Sequence, residues 1–188
     1  AARYLILAHH RDDQVETVLM RLLRGSSLRG LAGIPRLRKL SEMTTIVRPL
    51  LSCPRKAIER YLQRLGQSYC IDATNADASW LRNRIRTELL PLLEANYAHQ
   101  ASNSIARLAS DCAEATAFLD ELAADALSKH AVLRPEQGEA TLSGCEKLPP
   151  YLLRLMLVHL WREMAWPAGA MTRRRWRKLA ADLQSNKK

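Results

Sequence analysis

Aromatic side chains are scarce: one Phe, five Tyr and four Trp make up 5% of the chain. All-β cores draw on aromatic and β-branched residues, so this scarcity beside abundant Leu and Ala argues for helices. Cysteine is thin as well. Cys53, Cys70, Cys112 and Cys145 stand apart, and no CxxC pair supplies zinc-ligand spacing. Isolated thiols of this kind suit a reducing compartment rather than a disulfide framework. No apolar run approaches the roughly 20 residues that cross a bilayer. The opening Arg3–Ala8 stretch is too short for a signal peptide and runs straight into charged residues. The chain also has no initiator Met; it opens almost inside a strand-like run and stops in a basic helix-like one, so both ends are expected to be cuts in a longer protein.

What is present is a chain of 188 residues, 47% apolar, enough to bury a core in one medium domain or two small ones. The net charge is +10, and it is uneven. Residues 1–98 carry 16 Lys and Arg against 9 Asp and Glu, residues 99–150 carry 4 against 8, and residues 151–188 carry 9 against 2. Two separate basic regions therefore flank an acidic one. They imply a polyanionic partner such as nucleic acid, or else a solvated basic surface.

The periodicity gives the order of elements. Tyr4–Ala8 reads as a buried parallel strand, and a helix follows from Asp12 to Leu23 with Val15, Val18, Leu19, Leu22 and Leu23 at helical spacing. Gly25 ends it. Residues 25–43 read as loop. Thr44–Val47 reads as a second strand, Pro54–Leu65 as a helix stopped by Gly66, and Tyr69–Ile71 as a short third strand. Strand, helix, strand, helix argues for a parallel α/β layer. Asp72–Asp77 is turn-like, and Trp80–Leu93 is helical. Ser104–Lys129 has the three-and-four spacing of a long amphipathic helix, residues 131–150 read as loop with room for one short element, and a helix pair covers Tyr151–Met164 and Met171–Leu183.

Four segments carry chemistry. The first is His9-His10-Arg11-Asp12-Asp13-Gln14-Val15-Glu16-Thr17, at a strand end where open α/β sheets bind ligands. Two carboxylates at a helix start suit the helix dipole and can hold Mg²⁺, and Asp13, Glu16 and Thr17 share one helix face. A cap with a solvated acidic turn explains the same residues. A zinc site is the weakest option, because adjacent histidines after a strand point opposite ways. The second segment is Asp72-Ala-Thr-Asn75-Ala-Asp77 followed by Arg82-Asn83-Arg84-Ile85-Arg86. Arg82 and Arg86 lie at i and i+4 on one face; Arg84 points elsewhere, and inward is the expectation, toward an anion or a structural aspartate. The third is the loop Arg21–Gly33, whose glycines and arginines suit either phosphate wrapping or a solvated loop. The fourth is Arg173-Arg174-Arg175-Trp176-Arg177-Lys178, either an RNA grip with a stacking Trp or an exposed helix face with Trp176 in the core.

Taken in order, His9–Thr17, Arg21-Leu-Leu-Arg24-Gly25, Arg48-Pro49-Leu50-Leu51, the helix with Arg55 and Tyr61, and Arg82–Arg86 resemble the tRNA(Ile)-lysidine synthetase family of the PP-loop ATP pyrophosphatases. The resemblance is strong over residues 4–93 and is one of pattern only from Ser104 onward. It implies an α/β fold: a partial parallel sheet with helices, as in a truncated adenine nucleotide alpha hydrolase-like domain, over residues 1–98. A long linking helix at 99–130 and a small all-α domain at 131–188 are implied to follow. It further implies that ATP activates the C2 carbonyl oxygen of the wobble cytidine of tRNA(Ile) bearing a CAU anticodon, and that the ε-amine of free L-lysine then displaces AMP, in the bacterial cytoplasm. His9, Asp13 and Arg84 are implied as catalytic, with Glu16, Thr17, Arg24, Arg82 and Arg86 as substrate-binding and Asp12 as support for Mg²⁺. The family's SGGxDS phosphate loop does not occur in this sequence, so the chain alone is expected to be inactive. A tRNA thiolase and a non-catalytic RNA-binding fragment are the alternatives.

Overall fold

The computed structural model describes residues 2–70 and 80–185. These residues form two units, Ala1–Thr116 and Ala117–Lys188. In the first unit, β1 (Tyr4–Ile6) leads into α1 (Arg11–Leu23), a short α2 (Leu28–Leu31), β2 (Leu37–Lys39), β3 (Thr45–Val47) and α3 (Arg55–Arg64). The sheet order is β1-β3-β2. β1 and β3 run parallel with Leu5 opposite Ile46, and each feeds a helix at its carboxyl end. β2 is antiparallel to β3, so the sheet is mixed at that edge. The loop expected at residues 25–43 thus contains α2 and β2. Leu37-Arg38-Lys39 lacks the apolar alternation of a half-buried strand because every residue of β2 is exposed; its pairing comes from the short turn to β3.

β1 departs from its expected burial. Tyr4, Leu5 and Ile6 are 56%, 42% and 68% exposed, although the run is apolar and pairs with β3. Periodicity identifies a strand that can be covered, but packing decides whether it is, and no described element covers this one. The third strand expected at Tyr69–Ile71 is not formed by Tyr69 and Cys70; Ile71 and the Asp72–Asp77 turn lie outside the described residues.

The core of the first unit sits under α1. Val15 and Leu19 pack with Ile85 and Leu90 from the helical run that starts at residue 81. That run comprises α4 (Leu81–Arg84), a wide π turn (Ile85–Leu89) and α5 (Leu90–Asn96). Pro91 explains the wide turn. A proline in a helix lacks an N–H and presses on the carbonyl four residues back. Here the Leu90 N–H reaches back five residues to Ile85, which opens the turn while the helix continues. α6 (Ala101–His130) follows; its Ile105 and Ala106 pack on the first unit's core, and its Ala126 and Leu127 belong to the second.

The second unit contains the correction to the all-α expectation. Residues 131–142 form a hairpin, β4 (Ala131–Arg134) and β5 (Glu139–Leu142), turned at Gly138 with φ +69°. α7 (Pro150–Glu163) and α8 (Arg173–Ser185) complete it around Leu153, Met156, Leu157 and Leu160. The hairpin is two alternating quartets whose every second residue is half-buried, a signal too short to separate from loop. Trp161 stacks edge-on with Trp166 at 4.7 Å and Trp176 at 5.1 Å, so Trp176 serves the core while Arg173, Arg174, Arg175, Arg177 and Lys178 are exposed. No helix among the described residues is long and apolar enough to cross a membrane.

The cysteines give a direct check. Cys70 is exposed, whereas Cys112 and Cys145 are buried, and burial raises the Cys145 thiol pKa. A thiol so raised holds less reactive thiolate at neutral pH. Maleimide at pH 7 should therefore label Cys70 first and leave Cys145 untouched until denaturant is added. Equal rates for Cys70 and Cys145 in the folded chain would contradict the packing of the second unit.

Candidate active site at the strand ends

The carboxyl ends of β1 and β3 deliver α1 and α3 side by side, and their first turns are laced together. The Arg11 N–H donates to the Cys53 carbonyl at 2.9 Å. Pro54, the residue before α3, has no side chain able to cap a helix. Asp12 supplies the cap instead: its Oδ2 accepts from the Arg55 N–H at 2.8 Å. Asp13 caps its own helix, accepting the His10 N–H on Oδ2 at 2.8 Å. Thr17 spends its hydroxyl on the Asp13 carbonyl at 2.7 Å. His9 is half-buried, and its Nδ1 has no hydrogen-bond partner among the described residues.

Glu16 is the centre of the arrangement. It is 0% exposed, and both its oxygens accept from arginines: Oε2 from Arg82 Nε at 2.6 Å, Oε1 from Arg86 Nε at 2.6 Å. Arg82 also donates from Nη2 to Asp13 Oδ1 at 2.8 Å. A fully buried carboxylate is costly unless paired and hydrogen-bonded, and two guanidinium forks meet that demand. The hydrogen bond that Arg86 donates to Glu16 holds the Arg86 pKa above the ordinary arginine range, with burial opposing and the charges of Glu16, Asp13 and Asp12 assisting. A raised folded-state pKa contributes stability that is full below the unfolded value and is lost only as pH climbs through the folded one, so Arg86 stays charged through neutral and moderately alkaline pH.

This geometry reverses one expectation. Arg84 was expected to face inward, with Arg82 and Arg86 facing out. Arg84 instead lies 58% exposed beside Glu88 at 3.6 Å, and Arg82 and Arg86 turn in. The i, i+4 spacing already put Arg82 and Arg86 on one face; which face is decided by Ile85 and Leu90, which must bury against Val15 and Leu19 on α1 and so bring those arginines over Glu16. Arg24 is also not part of the cluster. It is exposed at the C-terminal end of α1, a helix of 13 residues or about 20 Å from His10. The loop that follows Arg24 is held by protein groups: Arg21 Nη1 donates to the carbonyls of Gly30 and Gly33, and Gln14 bonds Ile34 and Ala32. Gly33, at φ +67°, must be glycine, since a Cβ would stand 2.5 Å from the Gln14 amide oxygen.

Beside the acidic cluster lies a cleft of about 430 Å³, lined among others by Arg11, Asp12, Arg55, Lys56, Arg86 and His99. Arg11, Lys56 and His99 were not anticipated as site residues. The first was legible beside the strand-end acids; His99 is brought in only by the turn before α6. No group of three metal-ligating side chains occurs among the described residues. Asp13 and Glu16 have their oxygens engaged, and Asp12 has one engaged, so a Mg²⁺ could take a single protein oxygen here, with the rest from phosphate and water.

Comparison with known proteins fits the strand-end site. Residues 1–93 match the family described as PP-loop domain. That segment belongs to the PP-loop family. Over most of its length, 168 residues, the chain is 38% identical to the tRNA(Ile)-lysidine synthase of Chromobacterium violaceum, covering 89% of this chain and 38% of that protein. It is 44% identical over 124 residues to the enzyme of Pseudomonas putida, covering 66% of this chain and 29% of the relative. With the enzyme of Geobacillus kaustophilus it shares 40% identity over 144 residues, covering 76% and 30%. The chain thus spans about two fifths or less of these relatives. The PP-loop segment contains His9 through Arg86, the whole acid–arginine cluster.

Proposed function

We propose that this chain carries part of the active site of a tRNA(Ile)-lysidine synthetase, a ligase that joins L-lysine to C2 of the wobble cytidine of tRNA(Ile) bearing a CAU anticodon. The observation that carries the reading is the Asp13–Arg82–Glu16–Arg86 cluster at the strand ends of a PP-loop segment, next to an open cleft. In this reading Glu16 does not touch substrate. It fixes two guanidinium planes, and Arg82, 38% exposed, has Nη1 without a partner among the described residues and can offer it to an anionic oxygen. Asp13, held rigid by Arg82 and the His10 N–H, presents its charge where a lysine ammonium can be oriented, and half-buried His9 is the second catalytic residue in this reading. Arg82 therefore takes the catalytic role that the sequence had suggested for Arg84.

ATP and Mg²⁺ are the proposed cofactors. The described residues build no glycine-rich phosphate cradle, so no step at the ATP phosphates is assigned to them. Asp12 is the residue that would hold Mg²⁺, which when bound neutralises charge on phosphate oxygens.

The test is a chimaera in which this chain replaces its matched segment in the Chromobacterium violaceum enzyme. With ATP, lysine and tRNA(Ile) it should form lysidine. Asp13→Asn in that chimaera should lower the rate by about two orders of magnitude, the usual loss for a positioned catalytic group. A folded chimaera that releases AMP from ATP but never transfers lysine would overturn the reading, as would an Asp13→Asn variant with an unchanged rate.

A further inference from the structure

α3 carries a row of cations that the acid–arginine cluster does not use. Lys56, Arg60 and Arg64 recur at i, i+4 and i+8, so they share one face and climb it in steps of about 6 Å. All three are exposed, and none forms an ion pair with a carboxylate among the described residues. The one acid on the helix, Glu59, flanks the row three residues from Lys56 and is taken by Arg55 at 2.8 Å. Like charges at this spacing repel and weaken a helix, so the row costs stability in the free chain and is relieved by a polyanion. Tyr61, three residues before Arg64, flanks the C-terminal end of the row and is 62% exposed. The N-terminal end of the row, Lys56, lines the cleft beside Asp12 and Arg86.

We infer that this face of α3 is a track for a single RNA strand, leading the strand toward the cleft. The three cations take successive phosphates, and Tyr61 stacks a base, the combination by which proteins hold unpaired nucleic acid. A membrane surface is the other partner that a basic helix could suit, but it needs an apolar face to bury. Ile58 and Leu62, the aliphatic positions of α3, are half-buried in the protein instead. The inference rests on the proposed action on tRNA and adds the path by which the RNA approaches.

The experiment measures binding of the 188-residue chain to a tRNA(Ile) transcript across a salt series, for the parent and for the triple variant Lys56→Gln, Arg60→Gln, Arg64→Gln. Three lost phosphate contacts should flatten the slope of log K against log salt by about 2, and affinity near 0.15 M salt should fall tenfold or more. Tyr61→Ala should weaken binding roughly tenfold with the slope unchanged, since stacking carries no counterion, and Tyr61→Phe should restore it. Ultraviolet crosslinking of the unaltered chain should place bound RNA on the 55–65 peptide. An unchanged slope and affinity in the triple variant, or crosslinks found only elsewhere, would overturn the track. Preferential binding to anionic vesicles over RNA would do the same. These readouts are separate from lysidine formation: an inactive chimaera with a salt slope that depends on α3 sinks the proposed reaction and keeps the track, and an active chimaera indifferent to the triple variant does the reverse.

Discussion

Glu16→Ala should unfold the first unit under conditions in which the parent chain keeps it folded. Glu16 is 0% exposed and anchors two arginines from a helix 66 and 70 residues further along the chain. Removing one partner of a buried charge network costs about 3–5 kcal/mol, because the remaining charges lose their counterion in a poorly solvated place. Arg82 and Arg86 are 38% and 26% exposed, so they recover part of their hydration, which puts the expected loss near the low end, about 3 kcal/mol. Set against a domain stability of about 5–15 kcal/mol, that is a large fraction. Glu16→Gln keeps the shape and an acceptor and should cost less. Because the chain has two units, a single melting curve is a poor gauge; hydrogen exchange at the amides of α1 and of Leu81–Asn96 reads the first unit alone. Protection in α7 should not change. A loss under 1 kcal/mol for Glu16→Ala would mean that the cluster is effectively solvated and does not tie α1 to the helix above it.

Arg82→Lys and Arg84→Lys should behave in opposite ways. Arg82 spans two carboxylates with a planar fork, donating from Nε to Glu16 and from Nη2 to Asp13. A lysine ammonium is a single point of charge and cannot hold both while keeping a donor for substrate. In the chimaera described above, Arg82→Lys should cut the single-turnover rate by roughly one hundredfold or more, the scale seen when a preorganised donor is lost. Arg84 lies on the surface beside Glu88, and its replacement should leave the rate intact and stability within about 0.5 kcal/mol. Rate and melting temperature must be measured on the same samples. Equal rates for the two variants, with only Arg82→Lys losing stability, would make the cluster a purely structural clamp.

Several features of this chain follow from its sequence without any structure. The helical spacing of Val15, Val18 and Leu19 is enough to place α1, because an apolar stripe of that period can be buried in only one way. The same holds for α3 and for the long α6. The His9–Thr17 segment advertises a site because carboxylates crowded at a helix start after a strand are chemically expensive and local. Trp176 could be assigned to the core or the surface on composition alone, and its contact with Trp161 settles it.

Tertiary structure alone decided the rest. Spacing told which arginines share a face but not which face points in; that depended on Ile85 and Leu90 finding Val15 and Leu19 on α1. It also decided that Asp12 caps α3, a contact 43 residues long that no local pattern announces, and that Arg21 serves the carbonyls of Gly30 and Gly33. β2 and the β4–β5 hairpin are held by strand pairing between residues of weak pattern, and β1 is exposed despite its apolar run. The division has one physical cause. Periodicity within a helix is a property of the backbone and is written in adjacent residues, whereas the direction of a charged side chain is set by the partner that makes its burial affordable, and that partner lies elsewhere in the chain.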